Sequence, residues 1–85
     1  MTSTKFEELA KYYVAKEMKS NFNIEVNANE LELVWFAHEL GNKKCTIWGN
    51  QMGEYYAEVT YNKEFNETYV DIYCKVSHTN FIGDF

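Results

Sequence analysis

The chain has 85 residues, 13 acids against 8 bases that are all lysine, a net charge of −5, and 46% hydrophobic and 18% aromatic content. That length makes one domain, residues 1–85, with room for one sheet layer and one or two helices, and the apolar content excludes a disordered chain. The acidic balance argues against wrapping a phosphate backbone, which needs a basic stripe, and no apolar run is long enough for a membrane span.

The first 22 residues carry acids and lysines where a signal peptide needs an apolar centre, so a cytoplasmic location is expected. "TKFEELAKYYVAKEM" predicts a helix. Thr4 and Glu7 fit a capping box, Phe6, Leu9, Ala10, Tyr13 and Val14 form one apolar stripe, and Glu7 and Lys11 make an i,i+4 pair. Glu17 then falls in line with the stripe and Met18 lies to one side, so the first three turns are expected to carry the docking. The asparagines of "KSNFN" end the helix.

"NANELELVWFAHELGNKKCTIWG" supports two readings. As a helix it has Asn27 and Glu30 as a capping box, Leu31, Val34, Trp35 and His38 in period, and Gly41 as C-terminal cap. As a hairpin, a Gly41-Asn42 loop pairs Leu40 with Lys43, His38 with Cys45, Phe36 with Ile47 and Trp35 with Trp48. Periodicity leaves the two open. Further on, "EYYAEVTYNKEFNETYVDIYCKV" alternates as a second hairpin.

The patterns "VWFAHELGNKK" and "YYAEVTYNKEFNETYVDIY" resemble a small uncharacterised protein family encoded by phages and prophages of low-GC Gram-positive bacteria, over about residues 31–76. The lack of arginine and proline and the many asparagines read as the coding bias of an AT-rich genome, which agrees with such a source. The resemblance implies that the Val-Trp segment is a strand, and it implies no reaction. An α+β fold follows: the N-terminal helix packs on one face of a four-stranded antiparallel meander, with strands at about 31–40, 43–49, 55–62 and 68–77.

Expected partners across the sheet are Ile47 with Ala57, Cys45 with Val59, and Trp48 with Tyr56. The core face then collects Val34, Phe36, Cys45, Ile47, Ala57, Val59, Val70, Ile72 and Cys74. The opposite face collects Trp35, Trp48, Tyr56, Glu58, Tyr69, Asp71 and Tyr73, which are the candidate binding residues. A loop centred on Phe65-Asn66 sets Glu58 against Tyr73 and Thr60 against Asp71, and is preferred because the alternative, centred on Glu64-Phe65, places two acids directly opposite one another.

Two acids on an open sheet lack the pocket that acid/base catalysis requires, so no enzyme is expected. His38, Cys45, Cys74 and His78 lack the close spacing of a zinc site, so both thiols are read as buried and reduced, with no metal and no cofactor. No Gly-rich phosphate loop is present. Base stacking on the aromatic face is opposed by its acids, and no direct nucleic-acid binding is expected. Tryptophan and tyrosine dominate protein interfaces. The expected function is therefore binding, to a host protein with a basic surface or to a second copy, with inhibition of a defence or replication factor as the action. The alternative is an oligomeric sponge for a nucleotide-like small molecule. Against both stands intramolecular cover of the same face by Phe81, Ile82 and Phe85.

Overall fold

Thr2 opens the helix: its hydroxyl accepts the Lys5 N–H at 3.1 Å, so α1 (Ser3–Phe22) begins before the Thr4 box expected from the sequence. Asn23 closes it in the left-handed conformation (φ 54°), where its N–H donates to the Lys19 carbonyl at 3.1 Å and Ile24 N–H donates to Met18 O at 3.2 Å. The computed structural model describes residues 1–77 and 79–83.

Four side chains of α1 are fully buried, Phe6, Ala10, Val14 and Met18, at every fourth position. Because an α-helix turns every 3.6 residues, such a ridge drifts round the axis by about 40° per step, and it crosses a twisted sheet without leaving it. Met18 therefore docks, contrary to the expectation that the first three turns suffice, while Leu9 and Tyr13 flank the ridge half-buried.

Residues 27–30 form no long helix. Asn27 caps a single 3-10 turn, its Oδ1 accepting from Asn29 N–H at 2.9 Å, and its own N–H donates to Gln51 Oε1 at 2.7 Å. Four strands follow, β1 (Glu32–Glu39), β2 (Asn42–Trp48), β3 (Tyr55–Asn62) and β4 (Glu67–Cys74), all antiparallel and in the order β1-β2-β3-β4. This is the expected α+β arrangement of one helix over a four-stranded meander. Gly49 lets β2 leave the sheet beneath Leu31: a Cβ there would lie 2.8 Å from Leu31 Cδ2 and 3.2 Å from the Glu30 carbonyl oxygen.

Both hairpin registers differ from expectation. The first turn is Leu40-Gly41, with φ 52° and 84°, so Glu39 faces Asn42, His38 faces Lys43 and Phe36 faces Cys45. Positive φ at both loop positions is what a tight two-residue hairpin demands, and Leu40 meets that demand poorly while standing exposed. Leu40→Asn should raise stability by up to about 1 kcal/mol in denaturant unfolding.

The ladder then slips between Leu33 and Trp35, where Leu33 faces Ile47 but Trp35 faces Thr46. This β-bulge sends both Val34 and Trp35 to the outer face, so Val34 leaves the core that the alternation assigned to it and Trp35 does not face Trp48.

In the second hairpin Asn62 faces Glu67 and Glu58 faces Asp71, the register that like-charge repulsion disfavoured. The loop geometry wins. Asn62 Oδ1 accepts Glu64 N–H at 3.0 Å, Asn66 takes φ 51°, Tyr61 hydroxyl donates to Asn66 Oδ1 at 2.9 Å, and Lys63 N–H donates to Asn42 Oδ1 at 2.9 Å. An exposed like-charge pair costs only tenths of a kcal/mol against this set.

The core joins the helix ridge to Leu31, Cys45, Ile47, Met52, Ala57, Val59 and Tyr61, with Phe36 tilted against Phe6 at 6.0 Å between ring centroids. Cys45 is fully buried, and burial pushes its thiol up to about 11. Cys74 is exposed, contrary to expectation, because it lies at the end of the last strand, opposite Tyr55.

Two results follow. A thiol reagent should modify Cys74 at once and Cys45 only on unfolding. Stability should be insensitive to this group well below pH 9, where the thiol is protonated in both states. It should then fall as the unfolded chain ionises and level off near pH 11, and Cys45→Ala should remove that part of the pH profile.

Candidate functional site

With α1 on one side of the sheet, the other side has no element of the described chain across it. The pairings place Tyr56 opposite Tyr73, Glu58 opposite Asp71, and Thr60 opposite Tyr69, while Thr46 stands between Trp35 and Glu58. Six of the seven candidate residues are thus brought onto one continuous surface by register alone. Trp35 keeps 54% of its area exposed, Tyr69 45% and Tyr73 41%, and Val34, delivered by the bulge, keeps 61%. The Tyr56 and Tyr73 rings stack at 5.3 Å with 21° between planes.

Trp48, the seventh, behaves differently. Its indole N–H donates to the Gly53 carbonyl at 3.1 Å and its ring is half-buried against the core, so it braces the turn Asn50–Met52 as well as facing outward. Together with Val34, Thr46, Glu54, Tyr55, Tyr56 and Lys75 it lines a shallow, mainly apolar groove of about 380 Å³.

The charges on this face are ordered. Lys44 Nζ lies 2.8 Å from Glu58, and that contact holds the lysine above its ordinary value. Glu58, then partial burial and Asp71, raise the Tyr73 hydroxyl, which stays protonated at neutral pH. Tyr69 donates to the Glu67 carboxylate, which raises it in the same direction. The face therefore presents the protonated hydroxyls of Tyr69 and Tyr73, the acids Glu58 and Asp71, and the cations Lys44 and Lys75. Sequence alternation found neither Val34 nor Lys44: the first needed the bulge, and the second only becomes a partner once Glu58 is known to sit one strand away.

The candidate metal residues are not brought together. Cys45 is in the core, His38 faces Lys43 at the far end of β1, Cys74 is on the last strand, and His78 lies outside the described residues. Among the described residues no three His, Cys, Asp or Glu side chains gather at metal-binding distance, and no helix is long and apolar enough to cross a membrane. Phe81 and Ile82 stand exposed, so neither covers the aromatic face, and Phe85 lies outside the described residues.

A single helix over a four-stranded antiparallel meander defines a small α+β domain. The chain belongs to the family of unknown function DUF6275, whose model matches residues 3–82, taking in the helix and all four strands. No curated protein and no solved structure matches it.

Proposed function

We propose that this chain is a small acidic binding protein of phage or prophage type, without catalytic activity. It engages a basic surface on a host protein in the cytoplasm and so inhibits a defence or replication factor. The observation that carries this reading is the exposure of Val34, Trp35, Tyr69 and Tyr73 beside Glu58 and Asp71 on the helix-free face. Large aromatics of this kind contribute most of the energy at protein interfaces, and a rim of acids steers a basic partner. The source is supported by the sequence patterns and the lysine-only basic composition. The non-catalytic reading is supported by the openness of the face and by the pairing of Glu58 with Lys44, which occupies the carboxylate that acid/base chemistry would use.

A second reading, a sponge for a nucleotide-like molecule, is favoured by the groove beside Trp48 and Tyr56, whose volume falls in the range of small-ligand sites. Affinity capture from host lysate, followed by mass spectrometry, tests the first reading. Native mass spectrometry of the purified chain tests the second. A captured host protein that is released by salt supports the protein partner, whereas a co-purifying small ligand and no host protein would replace it with the sponge.

A further inference from the structure

The sheet has two unpaired edges, and they differ. β1 is broken by the bulge after Leu33, a device that spoils an edge for strand addition. β4 runs through its register with β3 without a slip, has no proline, and is paired on one side only.

Lys75 donates its N–H to the Glu54 carbonyl at 2.9 Å. In an antiparallel ladder, backbone groups alternate in direction. Tyr69, Asp71, Tyr73 and Lys75 therefore spend theirs on β3, and Val70, Ile72, Cys74 and Val76 turn theirs outward. Cys74 is exposed and Val76 is 97% exposed. Asp71 faces Glu58 across the ladder, yet among the described residues Lys44 bridges only to Glu58 and no cation pairs with Asp71.

We propose that β4, continued through residues 75–77, pairs antiparallel with β4 of a second copy of this chain about a two-fold axis at Tyr73. The sequence selects this axis. It sets Tyr73 against Tyr73 of the second copy, and Asp71 against Lys75 of the second copy, twice by symmetry. On the helix side it sets Ile72 against Cys74 and Val70 against Val76, so that each exposed apolar residue of the edge gains an apolar partner.

An axis at Asp71 would oppose two aspartates, and an axis at Ile72 or Cys74 would leave Asp71 facing tyrosine or serine. Only the Tyr73 axis supplies the cation that Asp71 lacks. It flanks the two facing acids with a cation on each side, in the row Lys44, Glu58, Asp71 and the second copy's Lys75, and it extends the stacked pair Tyr56 and Tyr73 into a four-ring ladder across an eight-stranded sheet. The dimer seam shares Tyr73 and Asp71 with the proposed host-binding face, and the two are told apart at Trp35, which lies on β1 at the other end of the strand order.

Sedimentation velocity of the full chain over a concentration series tests it, with circular dichroism confirming that each variant is folded. The wild type should dimerise. Asp71→Lys and Lys75→Asp should each weaken the dimer by about tenfold or more, since two exposed pairs become two repulsions, and the double exchange should return it to near wild-type affinity. In a Cys74→Ser background, Tyr73→Cys should oxidise to a covalent dimer, because its Cα would face its symmetry mate within disulfide reach, while Asp71→Cys should not. A wild type monomeric up to millimolar concentration, a dimer indifferent to both single reversals, or a double exchange as weak as the singles would overturn the proposal. Cross-linking by Asp71→Cys instead of Tyr73→Cys would overturn it as well. Loss of host capture by Trp35→Ala with the dimer intact bears on the other reading alone.

Discussion

Phe6→Ala should destabilise the fold by about 3–5 kcal/mol, as large-to-small changes of buried aromatics do. Phe6 is 1% exposed, heads the helix ridge and meets Phe36 of β1, so its removal opens a void between helix and sheet rather than at a margin. A domain of this length has roughly 4–13 kcal/mol of stability in total, at about 0.05–0.15 kcal/mol per residue. The variant should therefore melt at least about 15 °C lower or fail to fold. Leu9→Ala and Ile72→Ala, at half-buried positions, should cost less than Phe6→Ala. Equal losses at all three would mean that the ridge of Phe6, Ala10, Val14 and Met18 is not the docking surface.

The second large effect separates the two tryptophans, which sequence alternation treats alike. Trp35→Ala should lower affinity for a captured partner by about thirtyfold or more, the free energy of about 2 kcal/mol that marks an interface hot spot, with the thermal midpoint nearly unchanged. Its ring is more than half exposed on the helix-free face, so the folded monomer gains little from it. Trp48→Ala should lower the midpoint instead, because that indole holds the Gly53 carbonyl and rests on the core. Reversing Glu58 to lysine should slow association with a basic partner and flatten its salt dependence, since exposed charges steer encounters over a Debye length of about 8–10 Å.

The difference between those tryptophans shows how far the sequence could be read. Strand alternation places Tyr56, Glu58, Tyr69, Asp71 and Tyr73 on one face, and they lie there although Glu58 pairs with Asp71 and not with Tyr73. The observed register is displaced by two residues, and a shift of two preserves every face assignment. The first hairpin is rescued in the same way from Phe36 onward. What alternation cannot carry is a bulge, which adds one residue and reverses the parity behind it, and so Val34 lies on the outer face and not in the core.

Lys43 illustrates another blind spot. It occupies a core-facing position of β2 and is 5% exposed, an environment that its chemical type argues against and that its long aliphatic stem makes tolerable. Met18 docks for a geometric reason. A ridge of every fourth residue drifts off a stripe drawn from the first three turns, and only the twist of the sheet beneath it shows that the drift stays in contact. The turn residues misled because Gly41-Asn42 has better turn chemistry than Leu40-Gly41. The ladder on both sides outweighs that local preference.

Recognition of a protein partner by the helix-free face, as proposed above, is tested most directly by quantitative capture from lysate by three immobilised chains at equal loading: wild type, Trp35→Ala and Tyr12→Ala. Tyr12 is 56% exposed on the helix, on the opposite side of the sheet from Trp35, and so matches it in chemistry and exposure without sharing its face. Proteins held by the wild type should be retained by Tyr12→Ala and lost by Trp35→Ala. Retention of the same proteins by Trp35→Ala, or their loss from Tyr12→Ala alone, would contradict the assignment of the face.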